Sequence, residues 1–336
     1  MRRRMEAVLL SSIFISVVGF NEDYLYQTIE SAIENSYNPD RLYFGVVEQR
    51  SDESFTNFSQ IKNIRDSKIF STTPLGVGLP RSHSIDLYKN EDYILITDAH
   101  MVFTKNWDEL LIRRIESIKK VEGSKVILSQ HLPPAFINKD KLEILNEKYQ
   151  PTSLYFDGIF IRDKILETEY TQQYALTFHY IFSDATLVKE VPIDPRPYYI
   201  AEESLYSLRV STRGYKIFST EYIPMYHLTK PLVKINNDWR NDIDVKRMVE
   251  DFHLVYNVLV NKKIGDLSAP SSSALEEYIN KSGITLQYIL DNLGLKKFDG
   301  NSINIIEEKI KDIFSRETFD TAIYEMLLYY LSNNGV

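Results

Sequence analysis

The sequence predicts a doubly wound α/β domain followed by a smaller helical segment, and three observations carry that expectation. From residue 13 to about residue 130, apolar runs alternate with amphipathic helical stretches. The run Tyr93 to Thr97 is continuously apolar, as a central strand covered on both faces must be. The chain has 336 residues, more than one core usually organises, and its composition shifts near residue 265, where Ser268-Ala269-Pro270-Ser271-Ser272-Ser273 reads as a linker. The expected division is therefore 1–264 and 265–336.

Each element has its own signal. Met1 to Phe20 imitates a secretion signal, with Arg2, Arg3 and Arg4 ahead of an apolar run. That run is short for a membrane span and has no Ala-x-Ala cleavage pattern, so Ile13 to Val18 is read as a buried first strand. Asn21 is placed to cap a helix with Leu25, Ile29, Ala32 and Ile33 on one face, ended near Pro39. Leu42 to Val47 is the second strand. A further helix is expected to open at Asn106, with Glu109 completing a capping box, and to bury Trp107, Leu111, Ile115 and Ile118. Lys125 to Ser129, Tyr155 to Ile161, Phe178 to Phe182 and Tyr215 to Phe218 read as strands. The Pro-rich stretch Val191 to Tyr199 reads as a shaped loop before a helix from Glu202 to Arg213, which Gly214 closes. Beyond the linker, Ile303, Ile306, Ile310 and Ile313 repeat at helical spacing, and residues 265–336 hold 6 basic against 11 acidic side chains.

Composition excludes several classes of function. With 39 basic and 47 acidic residues the net charge is −8, which repels polyphosphate and argues against general nucleic-acid binding. No Cys is present, so a disulfide scaffold, a thiolate metal site and a Cys nucleophile are all excluded, and any metal must be held by carboxylate and imidazole. The missing cysteines and the missing long apolar span fit a cytoplasmic protein that is not membrane-bound.

Asp98-Ala99-His100 is the sharpest chemical feature. Residues two apart leave an extended chain on the same side, so a carboxylate and an imidazole converge at the carboxyl end of a buried strand, where open α/β sheets bind ligands. Such a pair suits Mn²⁺ or a similar divalent ion bridging a nucleotide diphosphate; a turn cap with an incidental histidine explains the same three residues. Gly76-Val77-Gly78-Leu79-Pro80-Arg81 reads as a Gly-rich loop whose final guanidinium can pair with phosphate, and it fits no Walker or dinucleotide pattern. His227, after an apolar stretch, is either a third metal ligand or a partly buried hydrogen-bonded histidine. Glu202 and Glu203 stand at a helix start, where one could reach a sugar or acceptor hydroxyl or where both could favour the helix dipole.

Taken in order, these segments resemble a known family. Ile13-Phe14-Ile15-Ser16, Asn38-Pro39-Asp40-Arg41-Leu42-Tyr43-Phe44-Gly45, Asp98-Ala99-His100-Met101-Val102-Phe103, Trp107-Asp108, Glu190-Val191-Pro192-Ile193-Asp194-Pro195, Glu202-Glu203, Thr212-Arg213-Gly214-Tyr215 and Tyr226-His227-Leu228 follow the order seen in hydroxyproline-type polypeptide α-N-acetylglucosaminyltransferases. The resemblance covers residues 13 to about 230. It implies a GT-A-like doubly wound mixed sheet with a small C-terminal helical appendage and a retaining reaction. It also implies a divalent ion, Mn²⁺ before Mg²⁺, on Asp98, His100 and His227. Arg81 and Asp98 would lie at the nucleotide-sugar phosphates, and Glu202 and Glu203 would face sugar and acceptor. The chain departs from the family at Ala201, where a Gly is usual, at Pro80 before Arg81, and at His179, where the family has small or apolar residues.

The function expected is therefore transfer of a sugar, N-acetylglucosamine first, from a UDP-sugar to a hydroxyl acceptor such as a protein hydroxyproline. A hydroxylated DNA base or a glycan as acceptor is one rival reading. A catalytically inactive sugar- or protein-binding module of the same fold is the other. The C-terminal helices are expected either to dock on the catalytic unit or to pair with a second copy of the chain.

Overall fold

The computed structural model describes residues 11–138, 141–144, 150–199, 201–228, 244–260 and 272–292, with Ile305 and Glu308 in helical conformation. Met1 to Leu10, most of the proposed linker and Ile303, Ile306, Ile310 and Ile313 lie outside the described residues. In chain order the first half holds β1 (Ile13–Phe20), α1 (Leu25–Glu34), β2 (Leu42–Arg50), β3 (Ile64–Phe70), α2 (Gly78–Asp86), β4 (Tyr93–Asp98), β5 (Met101–Phe103), α3 (Trp107–Glu122) and β6 (Val126–Leu128). It continues through β7 (Pro134–Asn138), β8 (Lys141–Ile144), β9 (Thr152–Asp157), β10 (Phe160–Ile165), β11 (Tyr170–Gln173), β12 (Tyr180–Asp184), α4 (Thr186–Glu190) and α5 (Glu202–Thr212). The chain then forms β13 (Lys216–Thr220), β14 (Met225–Leu228), α6 (Val245–Leu259), α7 (Ser272–Ser282) and α8 (Gln287–Asn292).

The doubly wound mixed α/β sheet is present. Eight strands lie in the order β11-β13-β6-β12-β4-β1-β2-β3. β3, β2, β1 and β4 are parallel, whereas β12 runs antiparallel between β4 and β6. Alternation along the central strands explains why both faces must be covered. Ile13, Ile15 and Val17 join Phe44, Leu95, Leu128 and Phe182 in a core with the apolar faces of α1 and α3, while Phe14, Ile94, Ile96, Ile127 and Ile181 join residues of α4 and α5 on the other side. A third core combines β9 with α5, α6, α7 and α8 through Leu154, Leu208, Phe252, Leu275 and Tyr278. No helix among the described residues is long and apolar enough to cross a membrane.

Two contacts bring α2 to the sheet. A Cβ at Gly45 would stand 2.2 Å from the Phe14 ring and 2.9 Å from the carbonyl of Ser84, so only glycine lets α2 lie against β2. Ser84 in turn donates to the Gly45 carbonyl at 2.7 Å and shares a 2.7 Å hydrogen bond with Ser16. The result places the first turn of α2 beside the carboxyl end of β4.

Several local expectations are corrected. Gly78 to Arg81 is the first turn of α2, not loop, because the carbonyl of Val77 already accepts the Arg81 N–H. Asn21 does not cap α1: with φ +47° it turns the chain and bonds Gln49 and Ser51. Asn106 also takes a left-handed conformation without capping α3, and Glu109 pairs with Arg113 one turn on. Tyr155 to Ile161 is not one strand but the turn of the β9–β10 hairpin, which Gly158 permits at φ +69°. Ser272 and Ser273 belong to α7, not to a linker. The Trp107-Asp108 pair holds the fold together: the indole donates to the Ala32 carbonyl, and the Asp108 carboxylate accepts the Tyr37 and Asn38 N–H groups.

Candidate metal and nucleotide-sugar site

Asp98 ends β4, and His100 follows two residues later at the entry to β5. β5 pairs antiparallel with β14, in a register that sets His227 opposite Met101, and the Leu228 N–H donates to the His100 carbonyl at 2.8 Å. Thr28 of α1 fixes the bend between the two strands: its hydroxyl donates to the Ala99 carbonyl and accepts the Met101 N–H. This short ladder closes a sequence gap of 127 residues, so that His100 Nε2 and His227 Nε2 lie 3.0 Å apart. His227 Nε2 is 3.8 Å from Asp98 Oδ2. One ligand atom from each of Asp98, His100 and His227 lies within 4.8 Å of the other two, the separation that ligands of a single ion require.

The donor chemistry fits a divalent ion. One carboxylate and two imidazoles suit Mn²⁺, Zn²⁺ and related borderline cations. Burial and the neighbouring His100 push His227 down to about 3, against the pull of Asp98, so its imidazole is neutral near neutral pH, the form in which a histidine ligates a metal. Burial works against ionisation of Asp98, yet Arg81, His100 and His227 hold its carboxyl below the usual range. Glu22, which sequence reasoning missed, accepts from His100 Nδ1 at 3.2 Å. Its Oε1 takes the Tyr24 N–H, which fixes the carboxylate in the turn after β1.

Arg81 links this cluster to the glutamate pair. It is only 3% exposed, its Nη2 donates to Asp98 Oδ1 at 2.8 Å, and the guanidinium lies 4.4 Å from the centroid of the Phe178 ring. Arg81 Nε stands 2.9 Å from Glu202 Oε1, off the N–H axis, so the two groups are in close contact without a hydrogen bond. Arg81 Nη1 is buried with no hydrogen-bond partner among the described residues, an arrangement that leaves a fixed donor for an anionic oxygen.

Glu202 and Glu203 part company. Burial raises the Glu202 carboxyl to about 8; Arg81 opposes this, and Glu203, Asp98 and Asp251 add to it. Glu203 turns instead to the segment before β12, accepting from the Thr177 hydroxyl at 2.6 Å and from the Phe178 N–H at 3.0 Å. The His179 ring beyond that segment stacks on His227 at 4.4 Å between centroids, and His131 lies 5.0 Å from His179. Burial and the nearby imidazoles drive His179 well below its ordinary value, whereas Asp163, at 2.9 Å, holds His131 above its own despite burial. Nothing in the spacing of His131 and Asp163 marks them. The unusual His179 was the one sequence signal for this wall.

A mixed α/β sheet with these groups at the carboxyl ends of β1 and β4 defines a glycosyltransferase domain of the GT-A type. The chain belongs to the Glycosyltransferase (GlcNAc) family, whose model matches residues 12–63 and 56–231. No curated protein matches it in sequence. Among solved structures, GalNAc-T7 with UDP, GalNAc and Mn²⁺ is similar at 14% identity and a TM-score of 0.50, over 84% of this chain and 57% of that one. S. aureus TarS 1-349 in complex with UDP-GlcNAc is similar at 13% identity and a TM-score of 0.49, over 88% and 78%. The likeness to GalNAc-T7 concerns the fold, and this chain spans little more than half of that protein.

Proposed function

We propose that this protein is a divalent-metal-dependent retaining glycosyltransferase that moves N-acetylglucosamine from its UDP derivative to a hydroxyl acceptor. The observation that carries the reading is the meeting of Asp98, His100 and His227 beside a buried, under-bonded Arg81. Membership of the GlcNAc family supports the sugar. Hydroxyproline in a protein is the acceptor we favour, on the order of motifs along residues 13–230.

In this reading Asp98, His100 and His227 hold the ion, which when bound offsets the charge that gathers on the departing diphosphate. Arg81 directs Nη1 at a phosphate oxygen while its salt bridge to Asp98 keeps the guanidinium in place. The acceptor oxygen bonds to the anomeric carbon on the face from which the diphosphate leaves. The bond from that carbon to the phosphate oxygen breaks, and the leaving oxygen takes the acceptor's proton. No carboxylate nucleophile is needed. Glu202, protonated near neutral pH, offers a hydrogen-bond donor on the sugar side. Glu203 fixes the Thr177–His179 segment that borders the acceptor side.

The same proposal assigns residues 1–264 to the catalytic unit and 265–336 to a helical segment docked on it. The core that α7 and α8 share with α5 and α6 supports docking. A screen of UDP-sugars for Mn²⁺-dependent hydrolysis tests the function. Turnover of UDP-N-acetylglucosamine that stops on chelation supports it. Absence of binding and hydrolysis for every UDP-sugar favours a non-catalytic module of the same fold.

A further inference from the structure

The two limbs that present Arg81 and Glu202 are distant in sequence, and both are gripped by one helix that lies beyond the family-matched residues. The first limb, Pro74 to Gly78, leads into α2. The second is Asp194 to Tyr199, followed by Ala201 at the start of α5. They touch directly: Val77 N–H donates to the Tyr198 carbonyl at 2.9 Å and Gly78 N–H to the Pro197 carbonyl at 3.1 Å. The approach is close enough that a Cβ at Gly78 would stand 2.7 Å from the Asp194 carbonyl oxygen.

α6 holds this pair of limbs from outside. Asp251, 1% exposed, accepts the N–H groups of Tyr198 and Tyr199 at 2.7 Å each and of Ala201 at 3.3 Å. A buried carboxylate thus takes up the orphan donors of the backbone immediately before Glu202. Four residues earlier on the same helix, Arg247 donates to the Leu75 carbonyl at 2.8 Å and lies 4.5 Å from the centroid of the Tyr198 ring. Asp244, which caps α6 through the Lys246 and Arg247 N–H groups, also gives its own N–H to the Tyr198 hydroxyl at 3.1 Å. Tyr198 is therefore held at its backbone, ring and hydroxyl by a single helix.

We propose that α6 is a clamp that sets the separation of Arg81 from Glu202, with Asp251 and Arg247 as positioning residues for the nucleotide-sugar diphosphate. Both residues grip the backbone of the limbs. Their effect passes through Pro74–Gly78 and through Asp194–Tyr199 with Ala201, and the inference rests on the donor-site reading above.

The test uses the full chain with Mn²⁺ and UDP as probes, each followed by calorimetry. Asp251→Asn and Arg247→Ala are expected to weaken Mn²⁺-dependent UDP binding by about 10- to 100-fold, the scale of a small misplacement of a binding group, while Mn²⁺ affinity without UDP stays within about twofold. Arg247→Lys keeps a donor to Leu75 but loses the planar stack on Tyr198, and is expected to fall between Arg247→Ala and the parent. Unchanged UDP affinity in both Asp251→Asn and Arg247→Ala overturns the clamp, as does a parallel loss of Mn²⁺ and UDP affinity, which indicates a general structural role. Asp98→Asn separates the two levels of the argument. If it leaves Mn²⁺ and UDP binding intact, the donor-site reading itself fails; if it removes them while the α6 variants bind normally, only the clamp fails.

Discussion

His100 Nδ1 lies 3.2 Å from Glu22 Oε2, and the opposite face of the same ring turns Nε2 toward His227. A ring that gives its Nδ1–H to the carboxylate presents Nε2 toward His227, the nitrogen through which it can ligate a metal. Replacing Glu22 by Ala frees the ring to change tautomer and orientation. Mn²⁺ affinity is expected to drop by about 10- to 100-fold. Glu22→Gln, which keeps an acceptor oxygen, should lose less. Equal affinity in the parent and both variants would remove Glu22 from the site.

Asp98→Asn should do more than remove a metal ligand. Asp98 is also the hydrogen-bonded partner of a buried guanidinium. Its neutralisation leaves Arg81 with a weaker acceptor beside a largely protonated Glu202, at a cost of about 1–3 kcal/mol. A thermal melt of the metal-free protein reads that cost, and Mn²⁺-dependent hydrolysis of the donor should vanish in the same variant.

Arg81→Lys and Arg81→Ala distinguish charge from geometry. Lysine keeps the charge but has no planar fork to span Asp98 and a phosphate oxygen, nor a flat face for Phe178. Both variants should bind UDP more weakly than the parent, Ala the more so. Unchanged affinity in both places Arg81 outside the site.

Glu202 predicts a pH dependence of stability. Its carboxyl is raised to about 8 in the fold against 4.5 as the ordinary value, so between these limits the folded state holds a proton that the unfolded chain has released. Stability then falls as pH rises through that window. Glu202→Gln removes the proton and should flatten the decline, with the variant gaining on the parent toward pH 8. Parallel stability curves for the two proteins from pH 5 to 8 would contradict the assignment.

Truncation after residue 264 removes Leu275, Tyr278, Ile284, Leu286 and Leu290 from a core shared with α5 and α6. Each such side chain contributes about 1.5–3 kcal/mol when buried. The shortened chain should therefore melt well below the full one and bind UDP less tightly, because α6 loses its support. A truncated protein with unchanged melting temperature and UDP affinity would mean that the segment does not dock.

What the sequence by itself determined was periodic or local. Alternation through Ile13–Val18, the unbroken Tyr93–Thr97 run and the helical faces of α1 and α3 announce a doubly wound sheet, because burial on two faces leaves an apolar mark on the chain. Asp98 and His100 were legible because a carboxylate and an imidazole close the continuously apolar Tyr93–Thr97 run; the bend at Ala99-His100, which Thr28 fixes and which sets the ring beside the carboxylate, was not. Tertiary structure alone decided the rest. His227 meets His100 only through the β5–β14 ladder, and Arg81 reaches Asp98 and Glu202 only because Gly45 admits α2 against the sheet. Glu22, Asp251 and the half-buried Arg247 carry no pattern at all, since a charge held inside the fold is recognisable by its partners, and those partners are set by packing between residues far apart in the chain.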